Sequence, residues 1–388
     1  MIKDIYLDNS ATTKPYDEVI EFISHINKNV YANPSSLHSK GLEAEKYIKS
    51  AREIIAKSLA VDNQEIYFTS GGTEANNLAI IGYLEGNPRK GNKIITTKIE
   101  HPSVLEVYKN LIDRGYIVDF IDVDEKGVIN LNSLREAIDD QTALISIIYI
   151  NNEIGSIQPI NEIVEIKNSI DREIAIHVDA VQAYGKVKIL PKKLGIDLMS
   201  ISSHKIHGPK GVGALYVKRG LKVKPVIIGG GQEFTMRSGT ENVSGICGFG
   251  MAADITTKKI DENYLRCMKI KEYFKNRLYE EFPKEVFVVS PKDASPYILN
   301  VSFSDIRAEV LLHHLEMENV FVSTGSACSS RKNVHSHVLK ALGLRPETID
   351  GAIRFSFSAF NSIKDMEYTI NAIKKILPKI NTKRGGKR

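Results

Sequence analysis

From about residue 60 to residue 201 the sequence alternates short β-branched apolar runs with longer stretches of helical character, and this limits the fold more than any other feature. The runs are Glu65–Thr69, Lys93–Ile99, Ile117–Val123, Ala143–Ile150, Ile174–Val178 and Asp197–Ile201. Such alternation predicts an α/β fold with a parallel sheet. Ala143-Leu144-Ile145-Ser146-Ile147-Ile148-Tyr149-Ile150 is almost continuously apolar, as expected of a strand covered on both faces.

After Gly245 the pattern changes. A long helical stretch precedes strands expected near Val286–Val289, Ile298–Phe303, Val320–Val322 and Ile353–Phe357, interleaved with helices. This reads as a smaller α+β unit. A chain of 388 residues exceeds the usual size of a single core, so one large and one smaller domain is the natural expectation.

Two strand ends carry a reactive pair. Ser202-Ser203-His204-Lys205 closes one apolar run, and Gly208-Pro209-Lys210-Gly211 turns the chain immediately afterwards. Ile174-Ala175-Ile176-His177-Val178-Asp179-Ala180-Val181-Gln182 ends the preceding run on an acid. Most lysines are solvated surface cations, but an amine and a carboxylate placed this way suit pyridoxal 5'-phosphate. The lysine holds the cofactor aldehyde as a Schiff base, and Asp179 keeps the ring nitrogen protonated so that the ring can accept electrons.

Composition excludes several other classes. The 52 Lys and Arg stand against 47 Asp and Glu, a net charge of +5, too mild and dispersed for a nucleic-acid binder. Only the tail Lys383-Arg384-Gly385-Gly386-Lys387-Arg388 is locally basic, and it reads as a solvated end. No apolar run approaches the ~18 residues of a membrane span, and no leader pattern opens the chain, so a cytoplasmic location is expected. Cys247, Cys267 and Cys328 lie far apart with no C-x-x-C spacing, which argues against disulfides or a zinc ribbon and leaves thiol chemistry.

Further motifs sit at strand ends. Thr69-Ser70-Gly71-Gly72-Thr73-Glu74-Ala75-Asn76 follows a strand and opens a helix, offering backbone N–H groups and a hydroxyl to a phosphate; a glycine turn with a threonine cap is the plainer alternative. Gly208-Pro209-Lys210-Gly211-Val212-Gly213 lacks the Gly-Lys-Ser/Thr ending of a nucleotide loop. Glu100-His101-Pro102-Ser103 puts an imidazole where strand ends converge on ligand, or simply at a helix start. Arg354 is a charge inside an apolar strand and needs an anionic partner, either a substrate carboxylate or a structural ion pair. Cys328 lies among small polar residues, Ser323 to Asn333, that cannot pack a core, whereas Cys247 and Cys267 read as ordinary buried or helical cysteines. His313, His314, His335 and His337 lack a ligand spacing, and no metal site is expected.

With these motifs in order, from Tyr6-Leu7-Asp8-Asn9-Ser10-Ala11-Thr12-Thr13 to Arg354-Phe355-Ser356-Phe357, the chain resembles the cysteine desulfurases, class-V aminotransferase relatives among the fold-type I pyridoxal phosphate enzymes, in the iron–sulfur assembly and nitrogenase-associated subgroup. The resemblance implies a large, mainly parallel-sheet domain over residues 15–255 and a smaller α+β domain of 1–14 plus 256–388 that carries the cysteine loop. It implies that Gly72, Thr73, Ser202 and His204 hold the cofactor phosphate, that Asn152 and Gln182 lie near the ring hydroxyl, and that His101 stacks on the ring and moves protons. Arg354 and Asn152 would hold substrate, Lys205 would remove the α-proton, and Cys328 would accept sulfur from L-cysteine as a persulfide. It further implies a homodimer, with Thr240 of Arg237-Ser238-Gly239-Thr240-Glu241-Asn242 completing the partner's phosphate site, and a sulfur-acceptor protein, either an iron–sulfur scaffold or a tRNA-thiolation protein. The rivals are a selenocysteine lyase or an aminotransferase of the same fold, and, from another class, a non-catalytic sulfur-pathway scaffold.

Overall fold

The computed structural model describes residues 4–324 and 335–380. Its strands are β1 (Ile5–Tyr6), β2 (Ile66–Thr69), β3 (Lys93–Thr97), β4 (Ile117–Ile121), β5 (Thr142–Ile148), β6 (Ala175–Asp179), β7 (Leu198–Ser202), β8 (Gly213–Val217), β9 (Val286–Val288), β10 (Ile298–Phe303), β11 (Val320–Phe321), β12 (Ser323–Thr324) and β13 (Ala352–Ser356). The larger sheet runs β2-β8-β7-β6-β5-β3-β4. β7, β6, β5, β3 and β4 pair in parallel, joined by crossover helices. Every residue of β5 is buried: Ala143 and Leu144 pack with Leu78 and Tyr83 on one face, and Ile145 and Ile147 join the core on the other.

Six strands expected of this sheet form, with ends shifted by a few residues; β8 is an addition. It runs antiparallel to both β7 and β2, so the sheet is mixed rather than purely parallel. Gly213-Ala214-Leu215-Tyr216-Val217 is apolar enough to have signalled a strand. Its glycine-rich approach instead directs attention to the turn. That turn is the structural point: β7 and β8 form a hairpin, with Ser202 opposite Gly213, and Lys205 sits in the connection.

The second sheet, β12-β13-β10-β9, is antiparallel throughout. β1 pairs in parallel with β11, and Asp8 bridges to Ser356 at the end of β13. The N-terminal segment therefore leaves the β1–β11 pair, touches the second sheet at Ser356 and crosses to the larger one, where Thr13 N–H donates to the His204 carbonyl at 2.9 Å. Helices Ser39–Leu59 and Val243–Thr257 pack closely, because Gly250 admits the neighbouring backbone: a Cβ there would lie 2.8 Å from Ala51 Cα. Cys247 and Cys267 are buried in helices, and burial pushes both thiols up to about 12, as inert core cysteines require.

Candidate active site

The carboxyl ends of β3, β5, β6 and β7 open on one cleft of about 270 Å³, the position at which open α/β sheets bind ligands. Of the twelve residues expected at the site, ten line it: Gly72, Thr73, His101, Asn152, Asp179, Gln182, Ser202, His204, Lys205 and Arg354. They come from segments far apart in sequence, and strand register brings them together. Ile148 lies opposite Asp179, and Asp179 opposite Ser200.

Asp179 ends β6 with both carboxylate oxygens engaged. Oδ1 accepts from Val181 N–H at 3.0 Å, and Oδ2 accepts from Asn76 Nδ2 at 2.9 Å. The carboxylate is thereby aimed while remaining in the cleft lining. His101 caps helix Pro102–Asp113, its Nδ1 accepting from Ser103 N–H, so the helix-start and cleft readings of this residue both hold. Burial lowers its pKa; Asp179 opposes the shift, and Lys205, His337 and Arg354 reinforce it. A ring that accepts a hydrogen bond at Nδ1 is the neutral imidazole.

Lys205 Nζ donates to the carbonyls of Ser10 (2.5 Å) and Ala11 (2.7 Å) on the crossing N-terminal segment. Gln182 Nε2 donates to the same Ser10 carbonyl at 2.8 Å, and the buried Lys186 donates to Gln182 Oε1 at 2.9 Å, which fixes which end of the amide faces which way. No carboxylate joins Lys186 in this set of contacts, and burial drops its pKa to about 7.

The opposite end of the cleft suits a phosphate. Helix Gly72–Gly86 begins there without a side-chain cap, leaving N–H groups for an anion. A Cβ on Gly72 would lie 2.6 Å from Val181 Cγ2, so only glycine fits that wall. Ser202 Oγ is buried with no hydrogen-bond partner, a costly state in a closed interior and one that a phosphate oxygen would relieve. His204 is held by Thr12 Oγ1 at 3.2 Å, and burial pushes its pKa down to about 4. These residues fit pyridoxal 5'-phosphate: an amine for the aldehyde, a carboxylate for the ring nitrogen, and a donor-rich turn for the phosphate.

Arg354, 3% exposed, lines the cleft and makes an ion pair there. NH2 bonds Asp8 Oδ1 at 2.8 Å, and NH1 bonds the Asn152 carbonyl at 3.0 Å. Its Nε is buried without a partner. Thr240 is exposed and outside the cleft of its own chain. Cys328 lies outside the described residues. After that segment the chain re-enters through Ser336, whose Oγ donates to Glu153 Oε2 at 2.5 Å, and His337, whose Nε2 donates to the Glu100 carbonyl at 2.9 Å. Among the described residues no cluster of His, Cys, Asp and Glu could hold a metal, and no helix is long and apolar enough to cross a membrane.

Sequence reasoning missed Asn76, Ser103, Glu100 and Glu153, and it weighed His337 only as a metal ligand. Asn76 and Ser103 stand inside motifs quoted for their neighbours, and position within those motifs was the available signal. The two glutamates gave none, because a carboxylate near a strand end is ordinarily solvated. Burial raises Glu100 to about 8 and Glu153 to about 7.

Comparison with known proteins places this geometry in a family. Residues 5–369 match the family described as Aminotransferase class-V. A relative named "Cysteine desulfurase IscS" from Dictyoglomus turgidum is 42% identical over 383 residues, covering 98% of this chain and 96% of that protein. A solved structure titled "NIFS-LIKE PROTEIN" superimposes with a TM-score of 0.92 at 37% identity, covering 97% of this chain and all of the other. Another, titled "SspA in complex with cysteine", has a TM-score of 0.79 at 33% identity, covering 92% of this chain and all of that one. The order of the motifs, the lining of the cleft and near full-length similarity agree: the chain belongs to the class-V aminotransferase family of pyridoxal-phosphate enzymes, in its cysteine desulfurase group.

Proposed function

We propose that the chain takes sulfur from free L-cysteine, holds it as a persulfide on Cys328, releases L-alanine and hands the sulfur to an acceptor protein. What supports this reading above all is the meeting of an amine, an aimed carboxylate, a neutral imidazole and a guanidinium in one cleft. The cysteine desulfurases to which the chain is 42% identical give the activity, and the neighbour solved with cysteine gives the substrate class.

When bound, pyridoxal phosphate supplies an electron sink next to the substrate α-carbon. The residues do the rest. Gly72 and Thr73 N–H groups, Ser202 Oγ and His204 would bind the phosphate, and Gln182 would lie near the ring hydroxyl. Asp179 would hold a proton at the ring nitrogen. Arg354 and Asn152 orient the substrate carboxylate, Nε of Arg354 being the donor with no protein partner. His101 would face the ring from the cleft wall. Lys205 Nζ would hold the aldehyde and, once free as the amine, would take the proton from the substrate α-carbon.

The Cys328 thiolate forms an S–S bond to the substrate sulfur as the bond from that sulfur to the β-carbon breaks. The electron pair and a proton end on that carbon as the methyl group of alanine, so no outside oxidant is needed. We further propose an acceptor that is an iron–sulfur scaffold or a tRNA-thiolation protein, a cytoplasmic homodimer in which Thr240 reaches the partner's phosphate, and domains spanning 15–255 and 1–14 plus 256–388.

The test is incubation of the purified enzyme with L-cysteine without reductant, followed by amino-acid analysis and peptide mass spectrometry. Alanine should appear with one added sulfur on the Cys328 peptide and none on the Cys247 or Cys267 peptides. Sulfur elsewhere, or no alanine, would defeat the reading.

A further inference from the structure

His101 and Asp179 are joined by a short hydrogen-bonded chain. His101 Nδ1 lies 2.8 Å from Ser103 Oγ and accepts from Ser103 N–H at 3.1 Å. Ser103 Oγ in turn accepts from Asn76 Nδ2 at 2.9 Å. The same Nδ2 donates to Asp179 Oδ2 at 2.9 Å. Asn76 is fully buried and its Oδ1 has no partner. A flipped amide would set that oxygen against the Asp179 carboxylate, so the two donated bonds fix its orientation.

The directions of these bonds determine the imidazole. Ser103 N–H can only donate, so Nδ1 must carry a lone pair. Ser103 Oγ already accepts from Asn76 and has its own proton to give, and it gives it to Nδ1. We propose that Ser103 and Asn76 are positioning residues that lock His101 as the neutral imidazole bearing its proton on Nε2, and tie that ring to Asp179.

Placing a proton on Nδ1 would set two N–H groups against each other, undo the helix cap and cost the Ser103 hydroxyl its acceptor. The chain beyond Nδ1 passes through an amide, which cannot relay a proton, so any proton His101 exchanges with the cleft moves through Nε2. Of the charged and titratable groups around the ring, Asp179 favours protonation and Lys205, His337 and Arg354 oppose it; Glu153 and His204 also line the cleft.

The inference rests on the reading of His101 and Asp179 as cofactor-facing residues, but its test does not depend on desulfuration. Full-length protein labelled with 15N-histidine is followed by NMR across pH with and without cofactor, His101 being assigned by its loss in His101→Gln. The wild type should show an unprotonated Nδ1 and a protonated Nε2 at neutral pH. Ser103→Ala removes one donor to Nδ1, so the ring should bind its proton about two- to tenfold more tightly, the range one hydrogen bond carries. Ser103→Thr should restore the wild-type midpoint. Asn76→Ala, which frees the Ser103 hydroxyl to turn away, should move it the same way by a smaller factor.

A wild-type ring protonated on Nδ1 at neutral pH, or a Ser103→Ala midpoint equal to the wild type, overturns the proposal. An unmoved midpoint in Asn76→Ala removes Asn76 from it. If the tautomer is as stated and the enzyme fails to desulfurate cysteine, the proposed function falls and this inference stands.

Discussion

Replacing Glu153 by glutamine should stabilise the protein at alkaline pH and do nothing at acid pH. Glu153 is 4% exposed and lines the cleft. Burial holds it against ionisation; the Ser336 hydroxyl and Arg354 only partly offset that effect, and the carboxyl moves from its ordinary 4.5 to about 7. At ~1.4 kcal/mol for each tenfold change in proton affinity, the ionised form carries a penalty of about 3 kcal/mol.

The sign follows from proton counting. Between pH 4.5 and 7 the folded state holds a proton that the unfolded state has lost, so stability falls as pH rises through this window and levels off above it. Glutamine has no proton to lose and still offers an oxygen to Ser336 Oγ. Urea unfolding of holoenzyme at pH 4.5 and pH 8 reads the difference. Glu153→Gln should match the wild type at the lower pH and exceed it by about 2 to 3 kcal/mol at the higher. Taking the difference between variant and wild type cancels the similar contribution of Glu100, which is buried and raised to about 8. A gain of the same size at both pH values, or a loss at pH 8, would refute the argument, since neither can arise from the ionisation of Glu153.

Lys205→Ala should abolish both the visible cofactor band and alanine production, measured by absorbance and amino-acid analysis; wild-type turnover would remove Lys205 from the chemistry. Cys328→Ser should keep the band, and its response to L-cysteine, but form no persulfide and release no sulfide with reductant, because a hydroxyl is a far weaker nucleophile than a thiolate. Gly72→Val brings a branched side chain to a point 2.6 Å from Val181 Cγ2, and should weaken cofactor retention on dialysis by at least tenfold; unchanged retention would show that the helix start is not the phosphate wall. Sedimentation at assay concentration should find a dimer, and an active monomer would exclude a role for Thr240 across subunits.

Much of this was legible in the sequence because reactive residues stand at the ends of strong apolar runs. β5 declares itself by continuous hydrophobicity, and the residues following β3, β5, β6 and β7 then have to meet at one edge of the sheet. β8 was harder, since its glycine-rich approach reads as a turn and draws attention from the apolar residues beyond it. That Arg354 needs an anion was legible, but not that Asp8 supplies one: the pair joins positions 346 residues apart, and no local pattern encodes such a contact. Asn76 was hidden differently. An asparagine in the first turns of a helix is ordinary, and only the tertiary placement of Ser103 and Asp179 gives its amide something to hold.

The crossing N-terminal segment bears on the order of events during synthesis. Residues 5–13 leave the ribosome well before β11 and β13, yet β1 needs β11 and Asp8 needs Ser356 before that segment is anchored. The larger sheet can assemble while the rest of the chain is still being translated, as amino-terminal units generally do. Its cleft would then lack the Ser10 and Ala11 carbonyls that seat Lys205. Completion of the pocket waits until β13 has emerged, so a nascent chain halted before β13 should be folded in part and unable to retain cofactor.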